Sequence, residues 1–183
     1  MPDDLEWETC DKETAYSCDG FDIVTDRVRL PDGTDTAFDY LVEGESVVVV
    51  PLTPEGDVVV IDEWRQAVGR VNRGLPAGSV EPDDDDLETA VRRELEEETG
   101  YRAGTVSHLT TVEPANGFAD ATFHYYVARD CEPTGRQRLD DDESIRVSTT
   151  DFETLLSRAR DDDLRDGRTM LGVLYYALFE RSA

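Results

Sequence analysis

Lysine is almost missing from this chain of 183 residues: Lys12 is the only one, and every other basic residue is arginine. Basic residues number 18 against 43 acidic ones, for a formal net charge of -25. A field of that sign repels nucleic acid and anionic membrane, and so excludes both as partners. It also destabilises the compact state unless counter-ions screen it, so the composition reads as that of a halophile protein adapted to high salt. No apolar run is long enough to span a bilayer, and the N-terminus reads as lacking a signal peptide. Cysteine is scarce as well. Cys10, Cys18 and Cys131 are odd in number and show no Cys-x-x-Cys spacing. That points to a reduced, cytoplasmic compartment and away from a structural zinc site. Cys10 and Cys18 are read as buried or half-exposed thiols rather than ligands. No serine or cysteine nucleophile constellation is visible, nor any repeat or Pro/Gly/Ser-rich linker. The apolar share of 38% still permits one well-buried core.

Residues 1–20 read as polar and irregular. Phe21 to Leu30 reads as a strand, Pro31-Asp32-Gly33 as a turn, and Thr36 to Val42 as the returning partner. Ser46 to Leu52 and Val58 to Trp64 are valine-rich runs around a Pro54-Glu55-Gly56-Asp57 turn, the pattern of strands buried on both faces. Arg70, Arg73 and Gly74 belong to a loop leading to Leu75-Pro76-Ala77-Gly78. Further strands are expected at Thr105 to Val112, Thr122 to Arg129 and Ile145 to Ser148. His108 and His124 fall in this strand context and read as structural. Helices close the chain at Asp151 to Arg158 and Arg168 to Glu180, the last with Leu171, Leu174, Tyr175 and Leu178 as its apolar stripe. The mixture indicates an α/β fold, an α/β/α sandwich around a mixed β-sheet with an N-terminal β-hairpin extension.

One helix carries the chemistry. From Leu87 to Thr99, with Asp85 and Asp86 at its start and Gly100 at its end, Leu87, Ala90, Val91 and Leu95 mark the face turned to the core. At about 100° per residue, Glu94, Glu97 and Glu98 fall on or beside that same face, while Arg92 and Glu96 point away. Three like charges turned toward protein are unfavourable unless a cation sits among them. Carboxylate oxygens suit Mg2+ or Mn2+. A merely solvated acidic helix would turn these side chains away from the leucines.

Gly78 followed by Arg93-Glu94-Leu95-x-Glu97-Glu98-x-Gly100-Tyr101 resembles the signature of the Nudix hydrolases. That family cleaves nucleoside diphosphates linked to another group, using Mg2+ or Mn2+. Two linked departures lie in the loop before the helix. Asp85 takes the place of the usual glutamate eight residues before the arginine, and Gly78 lies one residue further upstream than usual. More of the chain is similar to the ADP-ribose pyrophosphatase-like branch: Ile61-Asp62-Glu63-Trp64-Arg65, Leu75-Pro76-Ala77-Gly78, Gly117-Phe118-Ala119-Asp120, Phe123 to Ala128 and Glu143 to Val147. It departs from that branch at Glu63, Gly74 and Ala121, where glutamine, glutamate and glutamate are usual.

The resemblance implies a Nudix-type sandwich over residues 46–183, preceded by a strand extension over residues 1–45 that dimerises. A homodimer is the implied assembly, and a small-molecule nucleotide the implied substrate. It implies metal ligation by Glu94 and Glu98 with a backbone carbonyl at Ala77 or Gly78, and Glu97 holding either a second ion or one of its waters. Arg93, four residues from Glu97, would fix that carboxylate through an ion pair. Glu143 is the candidate to accept the proton of the attacking water, with Asp142 as the alternative. Arg65 suits a substrate phosphate or, equally, a neighbouring strand carboxylate. Trp64 or Phe118 could stack on a base, although core packing is the commoner fate of such rings. The implied reaction is Mg2+-dependent hydrolysis of ADP-ribose to AMP and ribose 5-phosphate. The alternatives are another nucleoside diphosphate sugar or NADH as substrate, and a nucleotide-binding sensor that does not cut.

Overall fold

The valine runs become the centre of the fold. In the computed structural model, which describes residues 4–18, 20–140 and 143–181, Val47–Val50 and Val58–Val60 have no exposed surface. Asp142, the alternative base, lies outside the described residues. The strands in order are β1 (Glu8–Ser17), β2 (Asp22–Arg29), β3 (Asp35–Val42), β4 (Glu45–Pro51), β5 (Val58–Arg65), β6 (Arg70–Gly74), β7 (Ala77–Ser79), β8 (Tyr101–Arg102), β9 (Thr105–Val112), β10 (Thr122–Arg129), β11 (Glu132–Pro133) and β12 (Ile145–Thr150). Helix α1 (Leu87–Thr99) follows β7, and α2 (Phe152–Arg160) and α3 (Gly167–Tyr175) end the chain. Among the described residues, no helix is long and apolar enough to cross a membrane.

Two compact units emerge, residues 1–44 with 113–122, and residues 45–112 with 123–183. In the larger, one sheet has the order β7-β4-β10-β9 and another β12-β5-β6, while β8 and β11 form a short pair. Thr122 donates to the Gly44 carbonyl at one end, and Leu52 to the Ala128 carbonyl at the other. Strands β4 and β10 therefore run in the same direction between antiparallel neighbours, and the sheet is mixed. Alternate residues of β4 and β10 face opposite layers. Val47, Val49, Tyr126 and Ala128 pack with Ala90, Val91 and Leu95 of α1. On the other side, Tyr125 meets α3 at Gly172. That is the α/β/α sandwich.

The smaller unit is the sheet β1-β2-β3, with Leu41 bridged in parallel to Ala119. Trp7 meets Phe38 edge-on at 6.0 Å, and the Lys12 ammonium donates to the Tyr40 hydroxyl at 2.7 Å.

Some expectations need correcting. The N-terminal residues are not irregular: β1 pairs with β2 from Glu8↔Arg29 to Ser17↔Asp22, with irregularities at Thr9/Asp11 and Thr14/Tyr16. Every position of β1 is exposed, so no apolar alternation marks it in the sequence. Cys10, within β1, and Cys18, just after it, are both exposed rather than buried or half-exposed, whereas Cys131 is buried. The arginine-rich stretch at Arg70–Gly74 is a strand, held by its ladder to β5 from Ile61↔Gly74 to Arg65↔Arg70. Last, α3 buries Thr169, Gly172 and Val173, and the turn after it Tyr176, rather than the leucine stripe, and Leu174 and Leu178 stay exposed. Close approach decides this face. A Cβ on Gly172 would stand 2.8 Å from Leu75 Cδ1, so a larger residue would force Leu75 aside where the helix docks. Beyond Tyr175 the helix widens into a π-turn, Tyr176–Glu180.

Candidate active site

Helix α1 begins where Asp86 accepts the Thr89 amide and ends where Gly100 adopts a left-handed conformation (φ 69°), so both ends are capped as its sequence suggests. Packing of Ala90, Val91 and Leu95 in the core sets the rotation of the helix. Leu95 and Glu98 are both buried, at 0% and 3% exposure, so a carboxylate does follow the apolar stripe into the protein. Glu98 Oε2 accepts the Ala77 amide at 2.9 Å. Glu94 lies against Gly78 so closely that a Cβ there would fall 2.2 Å from its carboxylate. Strand β7 thus supplies an amide to one glutamate and bare backbone to the other.

Arg93 organises the rest. Its Nη1 donates to Glu94 Oε1 at 2.7 Å and to Glu97 Oε2 at 3.3 Å, which is the expected pair four residues apart. Its Nη2 reaches the Ser79 carbonyl at 2.9 Å. Nε and Nη2 form a forked pair with Asp84 at 3.1 and 2.8 Å. Asp84, rather than the exposed Asp85, is therefore the acid that answers the arginine. The extra residue in the loop moves the useful aspartate one place, and within four consecutive aspartates nothing in the sequence could distinguish them.

Burial pushes the Glu98 carboxyl up to about 8, against the pull of the Ala77 amide, and Glu94, Glu143 and Glu63 add to the rise. Glu94 is pushed up to about 7, again chiefly by burial, with Arg93 opposing and Glu97 and Glu143 adding. Glu143 therefore stands within electrostatic reach of both. Its position follows from strand pairing, since β12 opens with Ile145 opposite Glu63 on β5. Glu63 itself is buried, and burial raises its carboxyl although Arg65 and Arg168 oppose. Arg65 binds it at 2.7 Å. Glu63, read from the sequence only as a departure from the branch, and Arg168, not anticipated at all, thus join this wall.

Trp64 points to the opposite face of β5 from Glu63 and Arg65, is half-exposed, and donates its indole N–H to Gln66 at 2.9 Å. Phe118 belongs to the smaller unit, where it is 64% exposed. Neither ring packs in the core.

Among the described residues, no three His, Cys, Asp or Glu side chains converge closely enough to enclose a metal ion. The Arg93 Nη1 instead bridges Glu94 and Glu97, at 2.7 and 3.3 Å. The donor set nonetheless fits a hard divalent cation. It consists of carboxylate oxygens, two of them costly to ionise where they stand, beside a glycine whose missing Cβ makes room for the Glu94 carboxylate. A cation there would offset the cost of burying their charge.

Comparison with known proteins agrees with this geometry. The chain is 30% identical over 177 residues to an ADP-ribose pyrophosphatase of Bacillus subtilis (strain 168), covering 96% of this chain and 95% of that one. It is 29% identical, at the same coverage, to a methanol dehydrogenase activator of Bacillus methanolicus. The crystal structure of an ADP compounds hydrolase superposes with a TM-score of 0.84 at 18% identity, over 97% of this chain and 95% of that one. The NUDIX domain family matches residues 43–170, most of the chain. With the arginine-glutamate helix and its glycine-bearing strand in place, the chain belongs to the NUDIX family and is a Nudix hydrolase.

Proposed function

We propose that this enzyme hydrolyses the diphosphate linkage of ADP-ribose to AMP and ribose 5-phosphate, with Mg2+ or Mn2+ as cofactor. The observation that carries the reading is a pair of glutamates, the buried Glu98 and the part-buried Glu94, set against Ala77 and Gly78. It is supported by end-to-end similarity to the Bacillus subtilis ADP-ribose pyrophosphatase. Glu94, Glu97, Glu98 and the Ala77 carbonyl would hold the ion. When bound, it would neutralise charge on the diphosphate oxygens.

Arg93 keeps the glutamates in place from the Asp84 side. Glu143 takes the proton of the attacking water. Arg65 spends one arm on Glu63 and has further N–H groups for a phosphate. Trp64 or Phe118, each an exposed ring, would stack on a base. Residues 1–45 act as the dimerising extension of a homodimer, and residues 46–183 as the hydrolase domain.

The test is an assay of phosphomonoester release, read through a coupled phosphatase, across ADP-ribose, other nucleoside diphosphate sugars and NADH, with and without chelator. ADP-ribose should be cleaved fastest, and only with divalent metal present. Faster cleavage of another compound replaces the substrate. Turnover undiminished by chelator removes the metal reading.

A further inference from the structure

The last carbonyls of α1 have no partners within the helix and must find them elsewhere. They find them on the segment that leads to Glu143. Thr134 donates to the Gly100 carbonyl through its amide at 2.6 Å and its hydroxyl at 2.9 Å. The Gln137 side-chain amide donates to the Glu98 carbonyl at 2.7 Å, and the Arg138 amide to the Glu97 carbonyl at 2.9 Å. Two residues further on, the Asp140 amide donates to Glu143 Oε2 at 3.1 Å, while the Glu143 amide returns a bond to the Asp140 carbonyl at 3.1 Å. Glu97 and Glu98 thus point carboxylates at the site while their main chains hold the segment bearing Glu143. Only Leu139 separates the last bond to the helix from the residue that grips the Glu143 carboxylate.

We infer that Gln137 is a positioning residue for catalysis, fixing through the Glu98 carbonyl the distance between Glu143 and the glutamates of α1. This rests on the reading of Glu143 as the proton acceptor. Among these bonds to α1, Thr134 supplies two and the Arg138 main chain a third. Gly100 is also packed within 3.1 Å, measured from where its Cβ would lie, of the Arg136 backbone. The attachment therefore survives without Gln137. What Gln137 adds is a side-chain tie to the Glu98 carbonyl beside the Arg138 main-chain bond, three residues before Asp140, and a misplacement of about 1 Å at a reacting centre can cost up to about a hundredfold in rate.

Gln137→Met keeps the side-chain length and removes the donor, whereas Gln137→Lys keeps a donor that reaches the same carbonyl. With ADP-ribose at saturating Mg2+, Gln137→Met should lower kcat about tenfold, leaving KM and the melting temperature unchanged. Gln137→Lys should recover most of the loss. In a Glu143→Gln background, Gln137→Met should cost nothing further, because the group it positions is gone. An undiminished kcat in Gln137→Met overturns the inference. So does an equal loss in both backgrounds, or a Gln137→Lys variant as slow as Gln137→Met. Full activity of Glu143→Gln on its own defeats the assignment of Glu143 instead.

Discussion

Replacing Glu98 by glutamine should make the metal-free protein more stable at alkaline pH while abolishing turnover. In the unfolded chain this carboxyl ionises near 4.5, and in the folded protein burial holds it protonated up to about 8. Between those values the folded state binds the extra proton, so the cost of Glu98 grows as pH rises through that window. At 1.36 kcal/mol per pH unit of difference, raising the pH from about 5.5 to about 8 removes about 3 kcal/mol of stability through this group alone. Glutamine keeps an oxygen for the Ala77 amide and cannot ionise, so it escapes that loss. Urea unfolding of both proteins in chelator, at the two pH values, isolates the difference from the general charge of the chain. Added Mg2+ should then stabilise the parent protein at high pH and leave Glu98→Gln unchanged. Equal losses in parent and variant between the two pH values would refute the buried-carboxylate argument. Full Mg2+-dependent activity in the variant would refute the ligand assignment.

Gly78→Ala should push the Glu94 carboxylate out of place, since the new methyl would stand 2.2 Å from it. It should raise the Mg2+ concentration for half-maximal activity by about tenfold or more, and a metal titration of activity checks this. Asp84→Ala strips Arg93 of its forked partner and should cost about 2 kcal/mol in urea unfolding, with a loss of kcat. An unperturbed variant would mean that Asp85 can substitute. With a net charge of -25, the melting temperature should climb as KCl is raised from about 0.1 M to about 2 M, as screening shortens from about 10 Å to under about 3 Å. A flat profile contradicts the electrostatic reasoning.

The helix of the site was legible because several signals agree on it. The Ala90, Val91 and Leu95 spacing, the Asp86 cap and the Gly100 stop each point to the span that forms. The central strands were legible from valine alone. What escaped were features decided by partners distant in sequence. Strand β1 has no buried face, so its polar residues carry no period. Arg70–Gly74 becomes a strand because β5 offers it a ladder. On α3 the leucines suggested one face, but docking against Leu75 and Tyr125 selects the face with Gly172. Within the site, Glu94, Glu97 and Glu98 could be placed by angle, whereas Asp84 and Glu63 could not. Their roles depend on loop length and on which strand lies alongside.

The near-absence of lysine takes on a local meaning at Arg93. Its three nitrogens serve two oxygens of Asp84, one each of Glu94 and Glu97, and the Ser79 carbonyl. A flat, forked cation can address partners on three sides at once, whereas an ammonium is a single point at the end of a flexible stem. An Arg93→Lys exchange would conserve charge and still unfasten the loop from the helix. At this position the choice between the two basic residues is a matter of shape, however strongly the composition of the chain favours one of them.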